Sequence, residues 1–356
     1  MHNPKQPPSR PIRRKLAAAA IAVVCAIGAG VPMTAYAADT VRVGLNGNIS
    51  DAPFYIAARK GFFKEQGLDV QLVPFDAGPK MIAPLGVGQL DVAAGASSAG
   101  LFNAAARNIN IKIVADKGSQ PPGYNYVPIL VRKALVDSGK VKSYKDLKGL
   151  KIAEAGEGSA IGSILNEAAK QGGFTYKQLD HVYMGYPQHV AALANGAVDG
   201  AVTSEPAASQ AVASGVAVRF SDDKLYPYHQ AGVVLYGGDF ITKRPEVAKK
   251  FMVAYIKAVR VYNDALKGGR FAGPAAKEVI DIMVQDSNLK NRDIYTQVVP
   301  NGLNPDGKVN MDSLKKDFQF FQEQGFLKGN SSPATLVDNS FADAALKVLG
   351  PYTPKQ

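Results

Sequence analysis

The sequence is poor in cysteine, histidine and tryptophan. The shortage of cysteine and histidine argues against several kinds of catalytic and metal site. Among its 356 residues the only cysteine is Cys25, and there is no tryptophan. Beyond residue 25 the chain therefore offers no disulfide, thiolate nucleophile or thiolate metal site. After residue 37 the histidines are His181, His189 and His229, and their spacing fits neither a metal site nor a catalytic base. We expect no enzyme activity, no metal and no cofactor.

Motifs of common enzyme classes are also missing. The glycine-rich stretch 156–162 (GEGSAIG) has neither the spacing of a nucleophile elbow nor that of a dinucleotide-binding loop. The formal charge is +11, but the lysines are scattered and no basic cluster is interleaved with aromatic residues. A nucleic-acid partner is therefore not expected.

Residues 1–37 have the composition of an export signal. Basic residues at 10–15 precede the apolar run LAAAAIAVVCAIGAG, and Ala35-Tyr36-Ala37 forms a cleavage site. The apolar run is too short and too interrupted for a membrane span. We predict a cleaved signal peptide over 1–37 and a mature monomer in the periplasm, with a charge of +6 because five Lys and Arg residues leave with the signal. Whether export uses the twin-arginine route stays open.

The mature chain alternates between strand-like and helix-like segments. Such alternation predicts mostly parallel sheets flanked by helices, with right-handed crossovers. Predicted strands are 41–45, 68–75, 91–95 and 111–114 in a first group, then 151–155, 181–184 and 200–203 in a second; predicted helices include 53–66, 79–88 and one from residue 98.

Two irregular stretches divide these groups. The segment 118–128 is rich in Pro, Gly and Tyr, and 221–230 again interrupts the pattern. Both are typical of crossings between lobes. From residue 245 the chain is predicted to be mostly helical, including long amphipathic helices at 245–266 and 313–327.

The two groups share an internal repeat. Residues 79–100 align without gaps to 187–208. Coinciding Pro, Gly, Ala and Asp positions indicate the same helix-turn-strand unit in each lobe. The alignment sets Ser97 against Glu205, both just after a strand, where ligands bind in open parallel sheets.

Four strand-to-helix junctions carry small and polar residues: NGNISDAP, GASSAG, AGEGSAIG and TSEP. Glycine lets the backbone approach a ligand, helix starts present free N–H groups, and hydroxyls add donors. This combination favours binding of a small anion. Glu205 leaves three possibilities open: contact with an amine or N–H of the ligand, a pair with a lysine, or a cap on the helix that Pro206 begins.

The segments DAPFYIAARKGFFKEQGLDVQLVPF, GQLDVAAG, SYKDLKGLKIAE and GAVDGAVTSEP resemble the periplasmic solute-binding proteins of ABC importers for nitrate, sulfonates and taurine. Thiamine-pyrimidine binders and pyrimidine synthases are related to that family. The resemblance covers about 41–265 and implies a two-lobed α/β fold of the type II periplasmic-binding class, with a hinged cleft between the lobes. It also implies delivery of the solute to a membrane permease and its ATPase subunit.

The resemblance implies the domain layout and the site. Lobe 1 would comprise 38–120 and 241–356, and lobe 2 would comprise 121–240. Since tryptophan is absent, any aromatic clamp must come from Tyr or Phe. The expected ligand-binding residues are Asn48, Ser50, Asp51, Phe54, Ser97, Ser98, Tyr126, Ser159, Tyr186 and Glu205.

A small organic anion resembling a sulfonate or taurine is the expected ligand. Alternatives within the same fold are a neutral heteroaromatic such as a thiamine pyrimidine precursor, read by Glu205, or an aromatic carboxylate. A pyrimidine synthase is disfavoured because the chain lacks that enzyme's cysteine cluster.

Overall fold

The computed structural model describes residues 38–355. The predicted signal peptide at 1–37 lies outside the described residues. None of the helices within 38–355 is both long enough and apolar enough to cross a membrane.

Strands and helices alternate through most of the chain. The strands are β1 (Asp39–Leu45), β2 (Leu68–Pro74), β3 (Val92–Gly95), β4 (Ile111–Gln120), β5 (Ile129–Arg132), β6 (Lys151–Glu154), β7 (Asp180–Tyr183), β8 (Gly200–Val202), β9 (Ala217–Arg219), β10 (His229–Gly237), β11 (Leu266–Lys267) and β12 (Arg270–Phe271).

The helices are α1 (Ala52–Arg59), α2 (Phe62–Glu65), α3 (Ile82–Gly86), α4 (Ala99–Ala106), α5 (Lys133–Asp137), α6 (Gly162–Gly172), α7 (Tyr186–Ala194), α8 (Ala207–Ala213), α9 (Gly238–Lys243), α10 (Pro245–Asp264), α11 (Ala276–Asp286), α12 (Arg292–Gln297), α13 (Met311–Gln324), α14 (Pro333–Leu336) and α15 (Ser340–Leu349). Short 3₁₀ turns occur at Ile49–Asp51, Gly78–Met81, Tyr144–Leu147 and Tyr176–Gln178.

Within the described residues two five-stranded sheets form the centres of two lobes. The sheet of lobe 1 has the order β2-β1-β3-β10-β4, and that of lobe 2 has the order β7-β6-β8-β5-β9. In each sheet one strand runs against its neighbours: β10 pairs antiparallel with β3 and β4, and β5 with β8 and β9. The predicted α/β class is confirmed, with mixed rather than wholly parallel sheets.

The structure moves one predicted lobe boundary. Strand β10 pairs with strands of lobe 1, although the predicted boundary at residue 240 assigned it to lobe 2. All nine residues of β10 are buried, so the strand shows no alternation of polar and apolar residues. The return crossing therefore precedes His229.

Helix α10 covers lobe 1 with one apolar face. Its Phe251 and Tyr255 are fully buried against α1, and Phe54 of α1 packs with its ring centroid 4.9 Å from that of Tyr255. The predicted helix 53–66 is divided into α1 and α2 because Gly61 adopts a left-handed backbone with φ of 74°. Only glycine takes this conformation without strain.

Helix α13 packs on both lobes. Phe318 contacts Phe102 of α4 with a centroid separation of 4.9 Å, while Phe320 contacts Tyr176 of lobe 2 at 5.1 Å. The carboxy-terminal helices therefore contribute to the join between the lobes as well as to lobe 1.

Candidate ligand-binding site

Residues 97–99 of lobe 1 lie against 158–160 of lobe 2. Two backbone hydrogen bonds of 2.8 and 2.9 Å form an antiparallel bridge between Ser98 and Ser159. A further contact joins the Tyr186 amide to the Asp76 carbonyl at 3.2 Å. The two lobes thus meet through the strand-to-helix junctions that the sequence predicts as the edges of one site.

Three serine side chains lie at or next to this bridge. Ser98 Oγ accepts the Leu101 amide at 3.3 Å and so caps α4, and Ser159 Oγ accepts the Ile161 amide at 3.4 Å near the start of α6. Ser97 Oγ is fully buried and finds no hydrogen-bond partner among residues 38–355. A buried hydroxyl without a partner is costly, so the arrangement suits a ligand that supplies an acceptor.

The loop after β1 is held by its own aspartate. Asp51 Oδ2 accepts the amides of Gly47 at 2.7 Å and Asn48 at 3.2 Å, and Ser50 Oγ donates to Asn48 Oδ1 at 2.7 Å. Both amides therefore already have a partner within the protein. The loop nevertheless lies at the junction, because the Ile49 amide donates to the Glu205 carbonyl at 2.8 Å.

Lys117 contacts the loop after β1, and sequence reasoning missed it as a candidate. Its ammonium is buried and lies 3.1 Å from the side-chain oxygens of both Asn46 and Asn48, 2.8 Å from Ser50 Oγ and 2.8 Å from Asp51 Oδ1. Burial lowers the pKa of Lys117, and the neighbouring Asp51 carboxylate partly opposes this effect. The adjacent charged residues Asp116 and Lys117 in the buried part of β4 were the available indication, because charged residues are rarely fully buried unless they are paired.

Two tyrosines complete the junction. Tyr126, on the crossing between the lobes, is buried, and Tyr186 at the start of α7 packs on Ala77 and Ala155 from opposite lobes. Burial is the main reason that the pKa of Tyr186 is raised, and the charge of Asp51 adds to it. The pKa of buried Tyr126 is also raised, and a hydrogen bond with Ser50 partly opposes the shift.

Two expected residues, Phe54 and Glu205, do not present their side chains to the junction. Phe54 lies in the core of lobe 1 against Phe251 and Tyr255. Sequence periodicity identified the apolar face of α1 but could not show that this face meets α10.

The Glu205 carboxylate is fully engaged within the protein. It accepts the amide and the hydroxyl of Ser209, both at 2.9 Å, and the Val299 amide at 3.3 Å, and it forms an ion pair with Arg219. Of the open possibilities, helix capping is observed, and the basic partner is an arginine rather than a lysine. Both the backbone and the side chain of Glu205 contact lobe 1, through the Ile49 and Val299 amides respectively.

No group of three or more His, Cys, Asp or Glu side chains within the described part of the chain is placed to hold a metal ion. His181 instead contacts Glu154 at 2.6 Å, and His189 contacts the Met184 carbonyl at 3.0 Å.

Two mixed sheets joined at polar strand ends, with two chain crossings between them, define a two-lobed periplasmic-binding-protein fold. Residues 35–270 match the NMT1-like family, and the chain belongs to that family. A Bacillus subtilis (strain 168) relative, provisionally named an aliphatic sulfonates-binding protein, is 25% identical over 311 residues, covering 86% of this chain and 88% of the relative. The resemblance predicted from the sequence is thus confirmed at the level of family and fold.

Solved structures with the same fold include binding proteins and an enzyme. The alkanesulfonate-binding protein SsuA from Xanthomonas axonopodis pv. citri, bound to MOPS, has a TM-score of 0.68 at 18% identity and covers 84% of this chain and 98% of its own. The nitrate-binding protein NrtA from Synechocystis PCC 6803 has a TM-score of 0.68 at 16% identity, covering 87% and 89%. The desulfurization enzyme DSZB has a TM-score of 0.59 at 13% identity, covering 87% and 99%. These similarities show the fold.

Proposed function

We propose that this protein is the extracytoplasmic binding component of an ABC importer. It captures a small organic anion of the sulfonate or taurine class between its lobes and delivers it unchanged to a membrane permease with an ATPase subunit. The protein acts in the periplasm as a monomer after removal of residues 1–37.

The main support for this proposal is the presence of the Ser97, Ser98 and Ser159 hydroxyls at the contact between the lobes. Each can donate to an oxyanion, because Ser98 and Ser159 use their oxygens only as acceptors and Ser97 Oγ has no partner within 38–355. A hydrogen bond to a charged group contributes about 1.5–3 kcal/mol. Three such bonds contribute about 4.5–9 kcal/mol, and the upper part of this range reaches micromolar affinity, which corresponds to a binding free energy of about −8 kcal/mol.

Helix starts favour the same ligand charge. The eight-residue helix α4 begins directly after Ser98, and the eleven-residue helix α6 begins shortly after Ser159. The positive end of a helix dipole adds about 0.3–1 kcal/mol to binding of an anion. The sulfonate-related names of the curated relative and of the SsuA structure agree with this chemistry.

The neutral heteroaromatic alternative has weaker support. Its recognition group would be the Glu205 carboxylate, which is held by Ser209, Arg219 and Val299. The enzyme alternative would need a nucleophile other than cysteine, because residues 38–356 contain none.

Equilibrium titration calorimetry tests the proposal. Residues 38–356, unfolded and refolded to remove any retained solute, are titrated with taurine, ethanesulfonate, nitrate, benzoate and a thiamine pyrimidine. We expect heat from a sulfonate, a loss of affinity of about 10-fold or more in Ser97→Ala and Ser159→Ala, and no change in the exposed control Ser214→Ala. Absence of binding across the anions, or wild-type affinity in both junction variants, would overturn the proposal.

A further inference from the structure

Lys117 places a positive charge at the junction. The ammonium has three N–H donors but four oxygens within 3.1 Å: Asn46 Oδ1, Asn48 Oδ1, Ser50 Oγ and Asp51 Oδ1. Only Asp51 among the four can carry a negative charge, and the other three are neutral acceptors. The three neutral oxygens accept the hydrogen bonds of the ammonium, and Asp51 Oδ1 forms an ion pair with it at 2.8 Å.

Sheet topology places this ammonium at the edge that carries the serines. Strand β3 lies between β1 and β10, and β10 lies between β3 and β4. The register aligns Gly95, Val233 and Asp116 in one row across the sheet. Because β3 ends at Gly95, Lys117 lies one residue beyond the level at which β3 ends. The loop after β1 extends to β4 at this point, because a Cβ at residue 118 would lie 3.2 Å from Ser50 Cβ. The same loop contacts lobe 2 through the Ile49 amide, which donates to the Glu205 carbonyl at 2.8 Å.

The electrostatics favour exchange of a neutral partner for an anion. A charged acceptor forms a hydrogen bond about twice as strong as a neutral one, and the buried setting strengthens the difference because the local dielectric constant is low. An oxyanion that replaces an asparagine oxygen at Lys117 would leave no donor unused. Asp51 would keep its bonds to the Gly47 and Asn48 amides.

We propose that Lys117 is the residue that selects for negative charge in the ligand, through direct contact of its ammonium with the anionic group in place of an asparagine side-chain oxygen. This inference rests on the proposed function and deepens it. The serine hydroxyls bind the oxygens of the head group, and Lys117 distinguishes a sulfonate from an uncharged group of the same shape. The Asp51 carboxylate partly neutralises the ammonium and so weakens its attraction for the anionic ligand.

The test compares ethanesulfonate with ethanesulfonamide, a neutral near-isostere, by calorimetry and by competition. Lys117→Met alone leaves Asp51 buried without its cation, so the neutral double variant Lys117→Met/Asp51→Asn is measured beside it. We expect the double variant to lose about 10- to 100-fold in sulfonate affinity and to bind the sulfonamide as wild type does. Lys112→Met is the matched control, because Lys112 lies on the same strand and binds the Thr335 carbonyl instead.

The single variant Asp51→Asn is expected to raise sulfonate affinity, whereas the double variant lowers it. With the Asp51 charge removed, Lys117 should bind sulfonate more tightly, while an anchoring role for the ion pair would make the same variant bind more weakly. Two outcomes would overturn the role of Lys117 without affecting the proposed function. One is an equal loss of affinity for the sulfonate and the sulfonamide in the double variant, and the other is weaker sulfonate binding by Asp51→Asn. A wild-type protein that binds no anion at all would overturn the proposed function together with this inference.

Discussion

The backbone carbonyls of Ser97 and Glu205 each accept an amide from the opposite lobe. Ser97 O binds the Ala160 amide at 2.9 Å, and Glu205 O binds the Ile49 amide at 2.8 Å. The two residues occupy equivalent positions of the internal repeat. The lobes are therefore joined by reciprocal main-chain contacts, and the side chains at the same positions are free to differ in role.

Replacement of Glu205 by Gln should affect folding rather than ligand selection. The pKa of Arg219 is lowered by burial to about 10, so Arg219 stays charged at neutral pH and loses its partner. We expect the free energy of unfolding in urea to fall by about 1–3 kcal/mol.

Ligand affinity should change by less than roughly 10-fold, the loss expected for a charged contact to the ligand. Glu246→Gln, on an exposed ion pair with Lys249, is the control and should leave the unfolding free energy near that of wild type. A sharp loss of binding with unchanged stability would show that Glu205 contacts the ligand.

Asp116 should make stability depend on pH. It is buried, and burial raises its pKa to about 7 in spite of hydrogen bonds from the Asn304 amide and Gln230. The pKa of an unfolded aspartate is about 3.9, so protonation favours the folded state. This contribution is complete below about pH 4 and is lost as the pH rises to about 7.

In Asp116→Asn this dependence should disappear. Urea unfolding at several pH values between about 4 and 8 measures it. The change in the free energy of unfolding over that pH range should differ between wild type and variant by an amount on the order of 3–4 kcal/mol. Asp69→Asn, at an exposed position, is the control. Parallel pH profiles of wild type and Asp116→Asn would contradict the prediction.

Local pattern was sufficient for most of the architecture. The alternation of strand and helix and the repeat that pairs Ser97 with Glu205 could both be predicted, because they depend on periodicity and turn residues. The first crossing was predicted over 118–128, but β4 continues to Gln120, so the crossing begins after that residue. The serine-bearing junctions could be predicted for the same reason, since ligand sites in open sheets follow strand ends.

The features that could not be predicted depend on contacts between residues far apart in the sequence. Glu205 is neutralised by Arg219, and its side chain also contacts the distant Val299 amide. Lys117 is placed by Asn46 and Asp51, which lie far earlier in the chain, before β2. Neither relationship leaves a periodic trace in the sequence, and the buried strand β10 also lacks one.

A buried polar cluster should stabilise the contact between α6 and α13. Ser163 Oγ donates to Asp317 Oδ1 at 2.7 Å, Tyr226 donates to the same oxygen at 3.0 Å, and His229 Nε2 lies 3.3 Å from Asp317 Oδ2. Asp317→Ala would leave these groups without their common partner. We expect a loss of about 3–5 kcal/mol in the free energy of unfolding.

Ser163→Ala removes a single donor and should cost about 1–3 kcal/mol. Asp312→Asn, on the exposed face of the same helix, serves as control. Urea unfolding and hydrogen exchange of α6 and α13 give the readout, and wild-type protection of both helices in Asp317→Ala would contradict a stabilising role.

Gly118 should be required because Tyr126 lies directly over it. A Cβ at residue 118 would lie 2.6 Å from the Tyr126 hydroxyl, closer than nonbonded atoms can approach, and 3.2 Å from Ser50 Cβ, which is a tight contact. Gly118→Ala should therefore displace the Tyr126 ring, lowering both the unfolding free energy by about 1–3 kcal/mol and the ligand affinity. The double variant Gly118→Ala/Tyr126→Phe removes the clashing oxygen and should recover part of both losses, whereas Tyr126→Phe alone should not stabilise the protein. Chemical unfolding and calorimetry on the four proteins complete a double-mutant cycle, and strictly additive losses would show that residue 118 acts independently of the Tyr126 hydroxyl.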